Sequence, residues 1–261
     1  MTPKLMGIVN VTPDSFSDGG LFLDAEAAIT HGRELAEQGA EILDVGGEST
    51  RPGAEEVSAD EELVRVVPVI RGLADVATVS VDTSKLAVAE AALDAGALIV
   101  NDVTALRHDS EIGVLCAERG VGLVLMHMQG EPRTMQENPV YEDVVDDVKA
   151  FLAARLEVAV DAGVAEERVW LDPGIGFGKT LEHNLELLRR LGELRELGRP
   201  LVVGTSRKSF IGKVDGSDVG NRLGGTIASS VLAAVEGADV LRVHDVAETA
   251  QAVAMASAIL G

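Results

Sequence analysis

The sequence predicts an α/β protein, a single (β/α)₈ TIM barrel over residues 1–261 with its active site at the C-terminal ends of the strands. Eight short apolar runs alternate with eight segments of helical periodicity. The apolar runs lack polar alternation, as expected for strands that are covered on both faces. No linker or low-complexity segment marks a second domain. A doubly wound open sheet is the alternative that the same alternation permits.

The predicted elements follow one another regularly along the chain. The strands are expected at residues 5–11, 41–45, 78–81, 98–100, 122–126, 168–171, 200–203 and 239–243. The helices are expected at about 24–38, 59–74, 85–95, 110–119, 141–162, 181–197, 219–236 and 246–260. Gly39, Gly96 and Gly237 each precede a strand and can end a helix in the left-handed conformation. Ser58 with Glu61 predicts a capping box.

Composition excludes several classes of protein. The 261 residues are 46% apolar but only 3% aromatic, so the core must consist mainly of Val, Leu, Ile and Ala. No apolar run reaches the ~18 residues of a membrane span. The formal net charge of −21 argues against non-specific nucleic-acid binding. The absence of a signal-peptide pattern and the lone Cys116 lead us to expect a cytoplasmic protein.

Polar residues lie where the predicted strands end, whereas the helix-to-strand junctions are mostly Gly, Ala, Val and Pro. The strand-end residues are Asn10, Asp44, Asp82, Asn101, Asp102, His127, Asp172, Ser206, Arg207, Lys208, Arg242 and His244. In a barrel, all these positions face one mouth, where TIM-barrel enzymes carry out their chemistry. The loops at 12–22 and 46–57 are long and glycine-rich, a profile typical of lids over a site.

The residue types at this mouth predict the kind of ligand. Arg242 and His244 are two apart on a strand and face the same way, so with Arg51 and Lys208 they favour an anionic group. Three acceptors suit the edge of a flat heterocycle that is rich in N–H donors: Asp82, Asn101 and Asp172. For Asp82 and Asn101, capping of the next helix is the structural alternative.

The segment 171–180, LDPGIGFGKT, imitates the end of a phosphate-binding loop. Pro173 stands where that loop requires its first glycine, and the three glycines do not fit dinucleotide spacing. We therefore expect Asp172 to hold a ligand at the end of a strand, and the glycines to allow a close approach of backbone. Lys179 is interpreted as a lysine at the start of the next helix.

Signals for metal binding and for nucleophilic catalysis are weak. The five histidines show no paired spacing, so any metal would be a hard cation such as Mg²⁺ that arrives with a phosphorylated substrate. Ser206 and Ser209 lack the G-x-S-x-G pattern of a serine nucleophile. For His127, a functional and a structural role are both compatible with the sequence.

Eight segments in order closely resemble the bacterial dihydropteroate synthases, the pterin-binding TIM-barrel family, along nearly the whole chain. They are MGIVNVTPDSFSDGG (6–20), DVGGESTRPG (44–53), SVDTSK (80–85), ND (101–102), LMHM (125–128), LDPGIGFGKT (171–180), GTSRKS (204–209) and RVHD (242–245). The resemblance implies a transferase of folate biosynthesis that is a target of sulfonamides. It would join 6-hydroxymethyl-7,8-dihydropterin diphosphate to 4-aminobenzoate, giving 7,8-dihydropteroate and pyrophosphate.

The resemblance also implies residue roles. Pterin binding falls to Asp82, Asn101, Asp172 and Lys208, with Met126 and Phe177 as apolar walls. Diphosphate binding falls to Asn10, Thr50, Arg51, Arg242 and His244, with Asn10 also a ligand of Mg²⁺. Aminobenzoate binding falls to Phe16, Thr50, Arg51, Pro52 and Ser209, and the catalytic set is Asp82, Lys208, Arg242 and His244. The family further implies a homodimer through the later helices.

Two alternatives remain compatible with a pterin-binding barrel. One is a corrinoid-type methyltransferase that binds methyltetrahydrofolate, against which the segments at 49–52 and 206–209 weigh. The other is a non-catalytic homologue that binds pterin. Formation of dihydropteroate from the two substrates and Mg²⁺ would distinguish the synthase from both.

Overall fold

The computed structural model describes residues 2–11, 21–49, 57–130 and 134–261, and the side chains of these residues except 21–24. The strands are β1 (Lys4–Asn10), β2 (Ile42–Gly46), β3 (Thr78–Asp82), β4 (Ile99–Asp102), β5 (Gly122–Met126), β6 (Val169–Asp172), β7 (Val202–Val203) and β8 (Val240–Val243). The helices are α1 (Leu21–Glu37), α2 (Ala59–Leu73), α3 (Leu86–Asp94), α4 (Glu111–Arg119), α5 (Val144–Asp161), α6 (Leu181–Arg189), α7 (Ser209–Asp215), α8 (Leu223–Val235) and α9 (Val246–Leu260).

All strand pairs are parallel, and their order is β6-β5-β4-β3-β2-β1-β8-β7. A parallel bridge between Leu171 in β6 and Leu201 beside β7 joins the two ends of this sheet. The N–H of Leu171 also donates to the carbonyl oxygen of Pro200 at 2.9 Å. The predicted barrel is therefore confirmed, and the open sheet is excluded.

The later helices differ from the sequence prediction. The segment predicted as one helix at 181–197 divides into α6 and a 3₁₀ helix, Leu191–Leu197. A 3₁₀ turn, Val219–Asn221, precedes α8. The loop after β7 contains the unpredicted helix α7, which buries Phe210 and Ile211 and ends at Gly216 in the left-handed conformation.

The predicted helix ends are largely confirmed. Gly39, Gly96 and Gly237 all have positive φ, at 108°, 114° and 101°. The Ser58 hydroxyl accepts a hydrogen bond from the N–H of Glu61 at 3.2 Å, so Ser58 caps α2. The reciprocal half of the capping box is absent from the contacts of these two residues, because the Glu61 carboxylate pairs with Arg65 instead.

Apolar side chains fill the interior of the barrel near the N-terminal ends of the strands. This interior cluster comprises Met6, Ile42, Ile99, Val124, Val202 and Val240, with Trp170 packed against it. A larger apolar layer lies between strands and helices. Because side chains two residues apart on a strand share a face, the next inward positions lie one layer nearer the mouth. The interior cluster thus forms the floor beneath any site there.

Candidate active site at the carboxyl ends of the strands

Four predicted site residues, together with Asp44, occupy the layer directly above the interior cluster. Each lies two residues after a residue of that cluster, or after Trp170 packed against it, on its own strand: Asp44 after Ile42, Asn101 after Ile99, Met126 after Val124, Asp172 after Trp170 and Arg242 after Val240. The period of two in strands therefore aims them all into the barrel mouth. Asp82 ends β3 in the same way, and α3 begins only at Leu86 with Lys85 at its N-cap, so Asp82 does not cap a helix.

Arg242 joins several of these residues into one network. Its Nε donates to Oδ2 of Asp44 at 2.6 Å, and its Nη2 donates to Oδ2 of Asp82 at 2.8 Å. The same Oδ2 of Asp44 accepts from Nδ2 of Asn101 at 3.1 Å. Three strands, β2, β3 and β8, therefore meet at a single guanidinium that two carboxylates orient, and β4 joins them through the bond from Asn101 to Asp44.

Burial and charge shift the protonation of this network. Burial raises the pKa of Asp82 to about 7, against the lowering effect of Arg242, with a further raising contribution from Asp44. Burial works to lower the pKa of Arg242, but the carboxylates of Asp44 and Asp82 outweigh it and hold that pKa above its usual range. Arg242 is thus a permanent cation, whereas Asp82 can exchange a proton near neutrality.

A second group of site residues surrounds Lys208. Its ammonium donates to the carbonyl oxygen of Ile175 and lies 4.7 Å from the ring centroid of Phe177, a cation–π contact. The Phe177 ring packs on a small apolar cluster of Val103, Met126, Met128 and Met135. Phe177 and Met126 therefore form apolar surface beside charged groups, the pairing of surfaces that a flat polar ring requires.

Asp172 is buried next to this lysine. Its Oδ1 accepts the N–H of Gly174 at 2.7 Å. Burial raises the pKa of Asp172, while Lys208 works against that rise. Burial also lowers the pKa of Lys208 to about 8, although Asp172 favours its charged form. A Cβ added at Gly204 would lie 3.6 Å from Nζ of Lys208 and 3.7 Å from Cβ of Arg242, so both side chains lie beside Gly204.

The three glycines after Asp172 fold the loop tightly against the end of β5. Gly174, Gly176 and Gly178 have φ of 66°, 86° and 61°. A Cβ at Gly174 would lie 1.8 Å from the carbonyl oxygen of His127, and one at Gly178 would lie 2.7 Å from that of Gln129. The predicted close approach of backbone is confirmed, and the surface approached is the protein's own loop after β5.

The interpretation of Lys179 as a helix-start lysine is wrong. Its side chain is 1% exposed, and its Nζ lies 2.8 Å from Nδ1 of His127. Thr180 caps α6 instead, in a reciprocal capping box with His183. The Lys179 and His127 side chains meet each other, a contact that the sequence spacing of 52 residues does not reveal.

The remaining predicted residues differ in how the structure places them. Asn10 ends β1, and Ser209 is an exposed residue at the start of α7. His244 Nδ1 lies 3.0 Å from Oγ of Ser206, which holds the imidazole at the end of β8. Phe16, Thr50, Arg51 and Pro52 lie outside the described residues.

Asp44 is the site residue that the sequence-based assignment missed. It is fully buried, and its Oδ2 holds both Asn101 and Arg242 while Oδ1 has no partner within the described part of the chain. The sequence did indicate Asp44, because it lies at the end of a predicted strand and begins the segment at 44–53 that resembles the synthase family. Asp102, by contrast, supports its own loop by accepting bonds from Thr104 and Leu106.

No group of three or more His, Cys, Asp or Glu side chains that could hold a metal exists in residues 2–11, 25–49, 57–130 and 134–261. Among the predicted site residues, Asn10 at the end of β1 offers a hard amide oxygen to Mg²⁺, which takes few protein ligands and keeps water and phosphate oxygens. This donor set fits an ion that comes with a diphosphate. No helix within the described ranges is long and apolar enough to cross a membrane.

Comparison with known proteins agrees with this geometry. The family model "Pterin binding enzyme" matches residues 6–244. Dihydropteroate synthase of Escherichia coli K12 is 48% identical over 262 residues, covering 99% of this chain and 92% of the relative. The Yersinia pestis enzyme, solved as a sulfonamide drug complex, superposes with a TM-score of 0.94 at 46% identity, covering 99% of this chain and 94% of that one.

The Xanthomonas albilineans enzyme, solved with 4-aminobenzoic acid, also superposes with a TM-score of 0.94. It is 48% identical, and the match covers 100% of this chain and 94% of that chain. All three of these relatives are dihydropteroate synthases, which favours the synthase over the methyltransferase alternative. The chain therefore belongs to the dihydropteroate synthase family of pterin-binding enzymes.

Proposed function

We propose that the mouth formed by β1 to β8 binds both substrates of the family's reaction, with the residue roles set out below. The reaction joins 6-hydroxymethyl-7,8-dihydropterin diphosphate to 4-aminobenzoate and releases pyrophosphate, forming 7,8-dihydropteroate. The observation that carries the proposal is the Arg242 network, because it brings Asp44, Asp82 and Asn101 together at the one end of the barrel where such enzymes react.

The pterin lies on the apolar surface of Met126 and Phe177, with its polar edge toward Asp172. A carboxylate that takes two N–H donors of the heterocycle forms a charge-assisted pair, which is strong in a buried setting. Asn101 can present both a donor and an acceptor to the ring. Lys208 lies over the Phe177 ring and near Asp172, where its side chain can donate hydrogen bonds to the acceptor atoms of the pterin ring.

The bond that breaks joins the pterin methylene carbon to a diphosphate oxygen, so stabilising the leaving group matters most. Arg242 and His244 place donors at the end of β8 for the phosphate oxygens. Asn10 would hold Mg²⁺ at the end of β1. When bound there, the ion supplies positive charge that offsets the departing pyrophosphate.

Departure of pyrophosphate leaves positive charge on the pterin methylene, which the Asp82 carboxylate can offset. The attacking aromatic amine is neutral at pH 7 and needs no strong base. Ser209 at the start of α7, together with Phe16, Thr50, Arg51 and Pro52, is assigned to aminobenzoate. Exclusion of water around the methylene prevents hydrolysis from replacing amine attack.

One assay tests the whole proposal. Purified protein is mixed with the pterin diphosphate, 4-aminobenzoate and Mg²⁺, and dihydropteroate and pyrophosphate are measured. We expect both products in equal amounts, and loss of turnover when the metal is chelated that added Mg²⁺ restores. Full activity in the presence of chelator would contradict the role of the metal and of Asn10 as its ligand. Absence of dihydropteroate would contradict the proposed reaction.

A homodimer through α8 and α9 is part of the proposal. These helices pack together and leave large apolar side chains exposed: Leu223, Leu232, Val235, Met255, Ile259 and Leu260. Exposed apolar side chains on two neighbouring helices are typical of interfaces. We expect Leu232→Glu to convert a dimer to a monomer in light scattering, with Val64→Glu on α2 as the control. A cytoplasmic location remains a prediction.

A further inference from the structure

We propose that Lys179 and His127 form a buried positioning pair that holds the loop between Asp172 and α6 in its pterin-binding conformation. The proposal rests on the placement of the pterin argued above. Neither residue is part of the assigned pterin, phosphate or aminobenzoate sets. Their role is to act through Asp172 and Phe177.

The amino group of Lys179 lies among three hydrogen-bond partners from two loops, and burial lowers its pKa well below the usual range of a lysine. Nζ lies 2.8 Å from Nδ1 of His127, 3.0 Å from the carbonyl oxygen of Gly174 and 3.0 Å from that of Phe177. Two of these acceptors belong to the glycine loop itself, and the third belongs to the end of β5. The lysine therefore ties the loop both to itself and to the neighbouring strand.

These contacts lead directly to the proposed pterin ligands. Both backbone polar groups of Gly174 are held, since its N–H donates to Oδ1 of Asp172 while its carbonyl oxygen accepts from Lys179. The Phe177 carbonyl is held by Lys179 while its ring faces Lys208. One buried side chain thus restrains both the carboxylate and the apolar wall of the site.

A role confined to helix formation does not explain Lys179. The cap of α6 is made by Thr180 and His183, and α6 begins at Leu181. Burying a lysine is costly, so its place in the core requires a compensating set of acceptors. The loop in turn needs such a donor. Three glycines with positive φ carry a large conformational entropy, and backbone hydrogen bonds alone restrain them weakly.

His127 is suited to be the fixed end of this pair. Its backbone N–H donates to the carbonyl oxygen of Asp172 at 2.9 Å, and its ring packs edge-on against Phe151 at 4.8 Å between centroids. Burial, with the nearby cations Lys179 and Arg107, lowers the pKa of His127 to about 2. The imidazole therefore stays neutral at all working pH values and keeps a nitrogen lone pair as an acceptor.

The decisive experiment compares two substitutions of His127. His127→Asn keeps an acceptor near the place of Nδ1, whereas His127→Leu keeps the bulk and removes it. We expect calorimetry with the pterin diphosphate alone to show at least about a tenfold weaker affinity for His127→Leu, since a buried hydrogen bond that restrains the loop is lost. His127→Asn should recover most of that loss. Equal affinity in both variants would overturn the proposal.

Lys179→Met supplies the second arm, with Lys213→Met, an exposed lysine on α7, as its control. We expect Lys179→Met to raise KM for the pterin substrate while leaving KM for 4-aminobenzoate unchanged. If Lys179 were purely structural, the substitution would lower the amount of folded enzyme but would not change one KM without the other. Because this variant can fail to fold, nitrogen NMR of His127 in the wild-type chain provides an independent measurement.

In that NMR measurement, we expect the Nδ1 signal of His127 to show a hydrogen-bonded nitrogen that differs from Nε2 and stays constant from pH 6 to 9. An imidazole that titrates in this range would contradict the pair. The parallel variant Asp172→Asn separates this inference from the proposed function. If Asp172→Asn leaves pterin affinity unchanged, the pterin placement is wrong. If only the His127 and Lys179 variants leave it unchanged, the positioning role is wrong.

Discussion

Arg242 on the last strand donates from Nε to Oδ2 of Asp44 on the second strand at 2.6 Å, across 198 residues of sequence. Asp44 is fully buried and also accepts from Asn101, so it orients two proposed ligands of the substrate at once. A charged group held this way is pre-positioned before substrate arrives, which lowers the cost of reorganisation during the reaction. Asp44 is thus a positioning residue for the site.

Asp44→Asn tests this role. Removing the charge from a buried ion pair leaves Arg242 with less compensation, and we expect a loss of on the order of 3–5 kcal/mol in the free energy of unfolding. The matched control is Asp94→Asn, a surface partner of Arg119 that should change stability by less than about 1 kcal/mol. Urea unfolding measures both. Equal effects would show that Asp44 contributes no more than a surface charge.

Asp172→Asn should weaken pterin binding by on the order of 2–5 kcal/mol, because it removes the charge from a buried hydrogen-bonded pair. Calorimetric titration with the pterin diphosphate measures the change. Asp161→Asn, at the exposed end of α5, is the control and should bind like the wild type. Unchanged affinity in Asp172→Asn would remove this residue from the pterin site.

The pKa values near neutrality predict a bell-shaped pH profile of kcat/KM for the pterin substrate. Asp82, with a pKa of about 7, takes up a proton below that pH and loses the carboxylate that we propose offsets the charge on the pterin methylene, so activity should rise as pH increases through 7. Lys208, with a pKa of about 8, loses its charge above that pH, so activity falls again. The maximum should lie between these values.

Lys208→Arg and Asp82→Asn identify which residue causes each limb of this profile. Lys208→Arg keeps a positive charge above pH 8, so its activity should not fall on the alkaline side. Asp82→Asn should have a much lower kcat/KM that no longer rises with pH on the acid side. Lys208→Ala should cripple turnover without unfolding the protein. If the alkaline fall persists in Lys208→Arg, another group controls it.

Gly174→Ala should destabilise the protein by more than about 2 kcal/mol and abolish pterin binding. A left-handed residue with a Cβ costs roughly 1–2 kcal/mol, and the added carbon would also meet the His127 carbonyl oxygen at 1.8 Å. Gly224→Ala in α8 is the control, because a Cβ there meets nothing within 4 Å and should be neutral or stabilising. Thermal unfolding compares the two. A Gly174→Ala variant with wild-type stability would contradict the observed loop conformation.

Sulfonamides should inhibit this enzyme by competing with 4-aminobenzoate, which they resemble in shape and charge. In steady-state kinetics, we expect the KM for 4-aminobenzoate to rise with inhibitor while kcat stays constant. The pterin substrate should not relieve the inhibition. Inhibition that saturating 4-aminobenzoate does not reverse would place the inhibitor elsewhere.

The elements of the barrel could be predicted because each rests on local chemistry. Strand β5 begins and ends at the predicted residues, and α9 does so too. Helix α7 was not predicted, because its seven residues are too few for a periodic pattern. Its stability comes from burying Phe210 and Ile211 against elements that are distant in the chain.

Candidate site residues could be found from the sequence because parallel strands in a barrel place their carboxyl ends at one mouth, so that polar residues at strand ends are marked by position alone. Partners could not be found in this way. Arg242 binds Asp44 and Asp82 because the barrel closes with β8 beside β1 and places these side chains opposite one another at the mouth. The sequence of each strand taken alone does not contain that arrangement.

The segment at 171–180 shows both what the sequence determines and what it leaves to the tertiary structure. The sequence by itself determined that Asp172 ends a strand and that three glycines follow it, since strand period and glycine's conformational freedom are local properties. Only the tertiary structure decided that Lys179 turns inward to His127 while Lys208 lies over Phe177. A lysine becomes buried or exposed according to the acceptors that neighbouring loops bring to it, and those acceptors come from residues far away in the chain.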